Sequence, residues 1–401
     1  MKLFQRLLVA PAALGLLAPI TANANEVNFN AISNYSDVES LEFANSFDDT
    51  FDNNVEFEPL IAGGEGMVHD HDTDSFSSTT TASFSVDMAI GAIDGQGVTT
   101  AITDGKEAIT ATYGFQIDLN TSFTGEDSLD ISLDAGNGSA TTLGELDLNT
   151  GETLSVDGVS YTFPVGDKTT VFVGDNTDGS ALYSTACVYG GPTNTLDDCG
   201  NVNSALGSGN GTAAGASFDI GNGFTAAIGY TGEGSSNKGL LSKESADAFG
   251  GQLTYTADSY GLSATYANIE SNTSASDSTA LADSDVTYWA LNGYWTPSES
   301  GSMPSISVGY ETGDSEAAST KDTSTFFVGL QWDEVGPGTF GAAMGTTGHI
   351  SDGETEYYMY EAFYSYPVND GMTITPVVYV KELASPSMDE TGVMVKTSFS
   401  F

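Results

Sequence analysis

The chain has 401 residues, 55 of them acidic and nine basic, giving a formal net charge of −46; 39% of the residues are hydrophobic and 47 are glycine. That charge balance excludes a nucleic-acid binder, because neutralising a phosphate backbone requires a basic surface. Beyond residue 24 no segment approaches the roughly 18 uninterrupted apolar residues of a spanning helix, so any membrane protein built from this chain has to be a barrel, in which neighbouring strands satisfy every backbone group.

The first elements are targeting and linker segments. Lys2 and Arg6 precede an apolar run from Leu7 to Pro19 and the small-residue motif Ala22-Asn23-Ala24. This is the order of a secretory signal peptide, expected to occupy residues 1–24 and to be removed before Asn25. The alternative, a retained anchor, meets an apolar run of about 13 residues where a spanning helix needs ~20. Residues 25–401 then keep seven lysines and no arginine. Residues 25–75 carry 13 acidic residues, no Lys or Arg and no heptad pattern, the composition of a flexible acidic periplasmic arm. The arm ends in His69-Asp70-His71-Asp72-Thr73-Asp74. Imidazole and carboxylate can hold Zn, Fe or Ni, but the spacing is not that of a closed structural site. A plain linker is the expectation, and no metal or other cofactor is assigned.

From residue 76 onward the chain alternates. Successive side chains of a strand point to opposite faces, so a strand between lipid and a watery lumen alternates apolar and polar residues. Ala82, Phe84, Val86, Met88 and Ile90 face one way, with Ser83, Ser85 and Asp87 between them. Ile109, Ala111, Tyr113, Phe115, Ile117 and Leu119 repeat the pattern against Thr110, Thr112, Gly114, Gln116, Asp118 and Asn120; Leu129, Ile131 and Leu133 oppose Asp130, Ser132 and Asp134. The same template predicts strands near 80–92, 108–119, 127–135, 152–163, 168–175, 212–220, 223–231, 246–257, 259–268, 285–296, 302–311, 323–333, 337–345, 355–366, 371–381 and 390–401. The faces of 168–175 and 285–296 stay open. Connections after even-numbered strands are short and rich in turn residues, such as Thr124-Gly125-Glu126 and Gly221-Asn222, whereas those after odd-numbered strands are mostly long. Tight periplasmic turns alternating with long outer loops are expected of an outer-membrane barrel. The fold expected is therefore all-β, a transmembrane antiparallel β-barrel of about 16 strands over residues 76–401.

Two further features lie within that barrel. The longest connection, residues 176–210, holds the only cysteines, Cys187 and Cys199, and two cysteines in an exported chain are expected to pair. A bridge closing so short a loop contributes roughly 3 kcal/mol in the chain-entropy model. The last predicted strand alternates Val393, Val395, Phe399 and Phe401 with Met394, Lys396, Ser398 and Ser400. A terminal aromatic on such a strand resembles the ending that outer-membrane assembly machinery reads, which makes Phe401 the expected assembly signal.

Three stretches carry a family resemblance: residues 154–167 (Leu154-Ser155-Val156-Asp157-Gly158-Val159-Ser160-Tyr161-Thr162-Phe163-Pro164-Val165-Gly166-Asp167), Phe76-Ser77-Ser78-Thr79-Thr80, and the ending Thr391-Gly392-Val393-Met394-Val395-Lys396-Thr397-Ser398-Phe399-Ser400-Phe401. Over roughly residues 75–401 the chain resembles the cyanobacterial outer-membrane porins of the carbohydrate-selective porin family, some of which are called iron uptake porins. Such proteins usually carry a surface-layer-homology domain before the barrel, which residues 25–75 lack. The resemblance implies a pore for small solutes, inorganic ions or sugars, and a homotrimer. Since the third loop of general porins typically narrows the channel, it also implies that residues 176–210 form a constriction with Asp178, Asp197 and Asp198 as acidic rim residues. An ordinary surface loop pinned by a disulfide is the alternative.

On the predicted faces Asp87, Asp118, Asp130, Asp134, Asp219, Glu311 and Glu361 point inward, with Lys381 and Lys396 the only inward lysines. An excess of lumenal carboxylate concentrates cations, with a selectivity that salt screens. The function expected is passive diffusion of small hydrophilic solutes and cations across the cell outer membrane. A sugar-selective pore stays open through Tyr357, Phe363 and Tyr379, should they line the lumen. An enzyme is not expected: serine nucleophiles need a positioned base, and residues 76–401 contain one histidine, His349, in a predicted outer loop. A secreted acidic adhesin or β-solenoid would need a short fixed repeat, and none is found.

Overall fold

A computed structural model of the protein describes residues 79–401 except 96–107, 139–142, 147, 149–150, 200–210, 233–238, 243–246, 271–284, 299–302, 316–320 and 384–388. The expected signal segment 1–24 and acidic arm 25–75, with His69 and His71, lie outside the described residues. Among those described, the chain is almost entirely strand: β1 (Thr80–Asp94), β2 (Thr110–Thr121), β3 (Ser128–Gly136), β4 (Ser155–Val165), β5 (Thr169–Thr177), β6 (Gly211–Gly221), β7 (Phe224–Gly232), β8 (Asp247–Thr256) and β9 (Tyr260–Ile269). There follow β10 (Val286–Trp295), β11 (Ser305–Ser315), β12 (Thr323–Val335), β13 (Gly338–Thr346), the two-residue β14 (Ile350–Ser351), β15 (Tyr358–Asn369), β16 (Met372–Lys381) and β17 (Glu390–Ser400).

All sixteen predicted strands are present. The strand that the alternation does not predict is β14, which pairs with the loop end of β12 through Ser324↔Ile350; two residues are too few to show a period. Each long strand pairs antiparallel with its sequence neighbours, and β1 pairs with β17 from Ser85↔Ser400 to Asp94↔Thr391. The sheet therefore closes. Phe84 and Phe401 seal the seam at the short-turn end: each N–H donates to the other's carbonyl, at 2.9 and 3.0 Å, and the rings stack with centroids 5.6 Å apart. Closure leaves no strand edge, as lipid requires.

The alternation sets the two faces. Met88, Ile90, Ile228, Leu253, Leu262, Leu291, Val308, Val378 and Val393 are exposed on the outside. Outward aromatics gather at both rims: Phe123, Tyr161 and Phe163, Phe224 with Tyr255 and Tyr260, and Trp332 with Phe340 toward the short turns; Tyr230 with Phe249, Tyr266 with Trp289, and Phe326 with Tyr358 toward the long loops. An apolar band between two aromatic girdles is the outer surface of a transmembrane barrel. The two open faces resolve on the same rule: Phe172 of β5 and Ala290 and Asn292 of β10 turn inward, while Val173, Trp289 and Leu291 are exposed.

The turn between β2 and β3 is held by one carboxylate. Asp127 Oδ2 accepts from the Tyr161 hydroxyl at 2.6 Å, and Oδ1 accepts from the N–H groups of Phe123 and Thr124 and the hydroxyls of Ser122 and Thr124 at 2.7–2.9 Å. These bonds, the Tyr161 hydroxyl's first, hold the Asp127 carboxyl well below the usual carboxylate range. The folded group binds its proton more weakly than the unfolded one. Its stabilisation is thus complete above the ordinary carboxylate pKa of about 3.9 and fades as pH falls below it. Asp127→Asn is expected to lower the denaturant midpoint at neutral pH and to shrink the gap from wild type as the pH is taken from 7 to 3; a constant gap across that range would contradict the assignment.

Candidate functional site

The interior of the barrel is divided by its own loops. The third long connection, residues 178–210, is described to Cys199 and turns inward across β7. Gly179 N–H donates to Thr231 Oγ1 at 2.6 Å, and a Cβ on Gly229 would overlap the Gly179 carbonyl oxygen. Only glycine allows the two backbones so close. From there the loop follows the inner wall. Ser184 exchanges two hydrogen bonds with the Gln252 amide of β8, Val188 N–H donates to Ser307 Oγ of β11 at 3.0 Å, and Gly190 N–H donates to Gln331 Oε1 of β12 at 3.0 Å. On β15 the Tyr189 hydroxyl donates to Glu361 Oε1 at 2.7 Å and Thr193 Oγ1 to Oε2 at 2.6 Å.

Apolar contacts complete this seat. The disulfide Cys187–Cys199 is formed, with S–S 2.08 Å, and both Cys199 and Leu196 are fully buried. Tyr189 packs on Phe327 and Phe363 with ring centroids 5.4 and 5.8 Å away. The second long connection also enters: Leu143, Leu146 and Leu148 are buried in the same cluster as Leu196, Met359, Tyr379 and Met394. The Leu148 carbonyl lies against Gly136 of β3, where a Cβ would collide with it. A barrel whose interior contains so many buried apolar side chains is partly plugged, from the β10–β13 wall round through β15–β17 to β1.

The remaining wall is acidic. On β2 and β3, Asp118 accepts from Gln116 Nε2 and Ser132 Oγ, both at 2.7 Å; Asp130 accepts from Asn120 Nδ2 at 2.6 Å and Ser128 Oγ at 2.8 Å; Asp134 accepts from Ser155 Oγ at 3.0 Å. All three keep partial exposure, and no cation pairs with them among the described residues. Asp87 differs, because Lys396 Nζ lies 2.9 Å from its Oδ2 across the seam. The other inward lysine, Lys381, is held by Glu145 of the second long loop and by Thr195 Oγ1 at 3.2 Å.

The remaining sequence-predicted residues have other surroundings. Asp219 is exposed at the end of β6, where its Oδ1 accepts from Gly221 N–H at 2.8 Å and closes a turn. Glu361 and Glu311 stand on inward faces yet are 4% and 0% exposed, so water does not reach them as a pore-lining role assumes. The loop covers Glu361, and His349 Nε2 sits 2.7 Å from Glu311 Oε1. Phe363 and Tyr379 are buried beneath the loops, at 4% and 1% exposure, which removes them as stacking surfaces for sugars; Tyr357 precedes β15 and its carbonyl accepts from Thr347 N–H. Asp178 caps its own loop by accepting from Ser180 N–H at 2.7 Å, and Asp197 opens the 3-10 turn Asp197–Cys199. The Asp198 side chain lies outside the described residues. Sequence reasoning missed Glu145, Tyr189 and Thr193. The available signal was Leu143, Leu146 and Leu148, three large apolar residues in a loop expected to face water.

These features define a porin-type transmembrane barrel, the architecture of outer-membrane channels, with two long connections folded against its inner wall. Solved structures agree on the fold. The high-pH structure of Pseudomonas putida OprB superposes with a TM-score of 0.58 at 11% identity, covering 80% of this chain and 94% of that one. The anion-selective porin from Comamonas acidovorans gives 0.56 at 11% identity over 80% and 99%, and Salmonella typhi OmpF in complex with daunomycin 0.54 at 12% over 80% and 98%. No protein-family model matches the sequence, and no curated protein does either.

Glu361 is expected to hold the loop in place. Glu361→Ala would leave the Tyr189 and Thr193 hydroxyls without their acceptor, at about 1–3 kcal/mol each, and is expected to raise single-channel conductance and open-channel noise. Unchanged conductance in a planar bilayer, in a variant that still resists dodecyl sulfate, would show that the loop is held by its other contacts.

Proposed function

We propose that this protein is an outer-membrane porin through which small hydrophilic solutes and inorganic ions diffuse passively, with cations preferred. The observation that carries this is the pairing of charges in the lumen. Among the described residues both inward lysines already have carboxylate partners, while Asp118, Asp130 and Asp134 on the open β2–β3 wall have none of opposite sign. Fixed carboxylates facing a water-filled passage raise the local cation concentration and repel anions. The fold does not carry this selectivity, since one protein of the same fold is described as an anion-selective porin.

The finer placement among carbohydrate-selective or iron uptake porins rests on the sequence motifs, and burial of Phe363 and Tyr379 takes away two of its aromatic supports. A secreted adhesin gains nothing from a closed barrel with an apolar exterior. Three expectations complete the proposal: export through residues 1–24 with residues 25–75 as a periplasmic arm, assembly directed by the Phe401 end, and a homotrimer by analogy with general porins.

The test is the reversal potential of the purified protein in a planar bilayer under a potassium chloride gradient. A potassium preference is expected near 0.01–0.1 M, where the Debye length is about 30–10 Å, with most of it gone at 1 M, where the length is about 3 Å. An anion preference, or conductance with no preference at low salt, would overturn the cation-selective assignment.

A further inference from the structure

Glu145 stands where the second loop, the third loop and the barrel wall meet. Its carboxylate bonds Lys381 Nζ of β16 through Oε1 and accepts from Thr195 N–H through Oε2 at 3.3 Å; its carbonyl accepts from Asn194 N–H at 2.7 Å. Lys381 Nζ also donates to Thr195 Oγ1 at 3.2 Å. The flanking Leu143 and Leu146 are sunk in the apolar cluster that contains Leu196, so the loop carrying Glu145 is fixed on both sides. Lys381 and Glu145 are 20% and 12% exposed, a pair mostly withdrawn from water.

Lys381 is the last residue of β16 and points inward at the end of the barrel that bears the long loops. Left alone, it would set a positive charge in the outer mouth, in the way of the ions that the acidic wall favours. Glu390 lies opposite it in the β16–β17 register and supplies a second carboxylate, but Glu145 is the one in direct contact. We propose that Glu145 is a specificity-determining residue of the channel: it neutralises Lys381 at the outer mouth and, through the same contact, fastens the second and third loops to β16. The proposal rests on the reading of the protein as a diffusion pore, though not on the sign of its selectivity.

The contact makes distinct demands on each partner. Removing the Glu145 charge leaves at the outer mouth a lysine with Glu390 opposite it in the strand register; removing the lysine leaves a carboxylate there. The two losses loosen the same latch yet push ion selectivity in opposite directions. A purely structural role would move both variants alike.

The experiment compares reversal potentials in a potassium chloride gradient near 0.1 M for wild type, Glu145→Gln, Lys381→Met and the exchange Glu145→Lys with Lys381→Glu. All are first checked for dodecyl-sulfate-resistant migration. Glu145→Gln is expected to lower the potassium-to-chloride permeability ratio about twofold or more, Lys381→Met to leave it equal or higher, and the exchange to return it close to wild type. Equal ratios in all four, or a fall in both single variants, would overturn the proposal. If either single variant fails to fold, the exchange decides: wild-type selectivity supports the pair, and a lowered ratio sinks it. A wild-type channel without cation preference would refute the selectivity proposed above and leave this test intact, because it reads the direction of change.

Discussion

The constraint on which everything else depends is that hydrocarbon offers a backbone N–H or C=O no partner. In lipid each such group has to be satisfied within the protein, and a sheet can do so only by closing on itself. The pairing of β1 with β17, sealed by the reciprocal hydrogen bonds of Phe84 and Phe401, is where that condition is met. With the ring closed, the two-residue period of a strand becomes an inside and an outside. The apolar residues of each strand meet lipid, the aromatic ones collect at the two rims, and polar residues are turned toward enclosed water.

Enclosing water creates a second problem, since a barrel of this many strands leaves an interior wide enough for an open aqueous channel. Here two loops fill part of the interior. Their seat is built like a small protein core, from Leu143, Leu146, Leu148, Tyr189, Leu196 and the buried disulfide packed on Phe327, Phe363 and Tyr379. The contribution of these contacts follows the apolar area removed from water. Polar anchors then set their register along the wall: Gln252, Ser307, Gln331 and Glu361 each bind a specific loop residue. Glycine pairs make the approach possible where backbone lies on backbone.

Charge is distributed by the same arrangement. A net charge of −46 says little about a channel, because most of these acids keep an exposed surface solvated. What matters is which carboxylates reach the passage and which already have partners. Covering one side of the lumen takes Glu361 out of the water and gives Lys381 a partner from a loop; the uncovered side keeps Asp118, Asp130 and Asp134. The field in the pore is thus set by where the loops come to rest as much as by the composition of the strands.

The sixteen long strands, the faces of all but β5 and β10, and the alternation of short turns with long loops were legible in the sequence, because strand period and turn chemistry are local properties. Asp118, Asp130 and Asp134 were placed on the lumenal side by parity alone. Parity could not say whether an inward residue meets water. Tyr189 and Glu361 are 172 positions apart, and Lys381 and Glu145 are 236 apart; no local rule connects residues so distant. The sequence by itself determined the barrel, since each strand carries its own two-sided code. Only the tertiary structure decided the passage, since burial inside a closed ring depends on which loops fold across it.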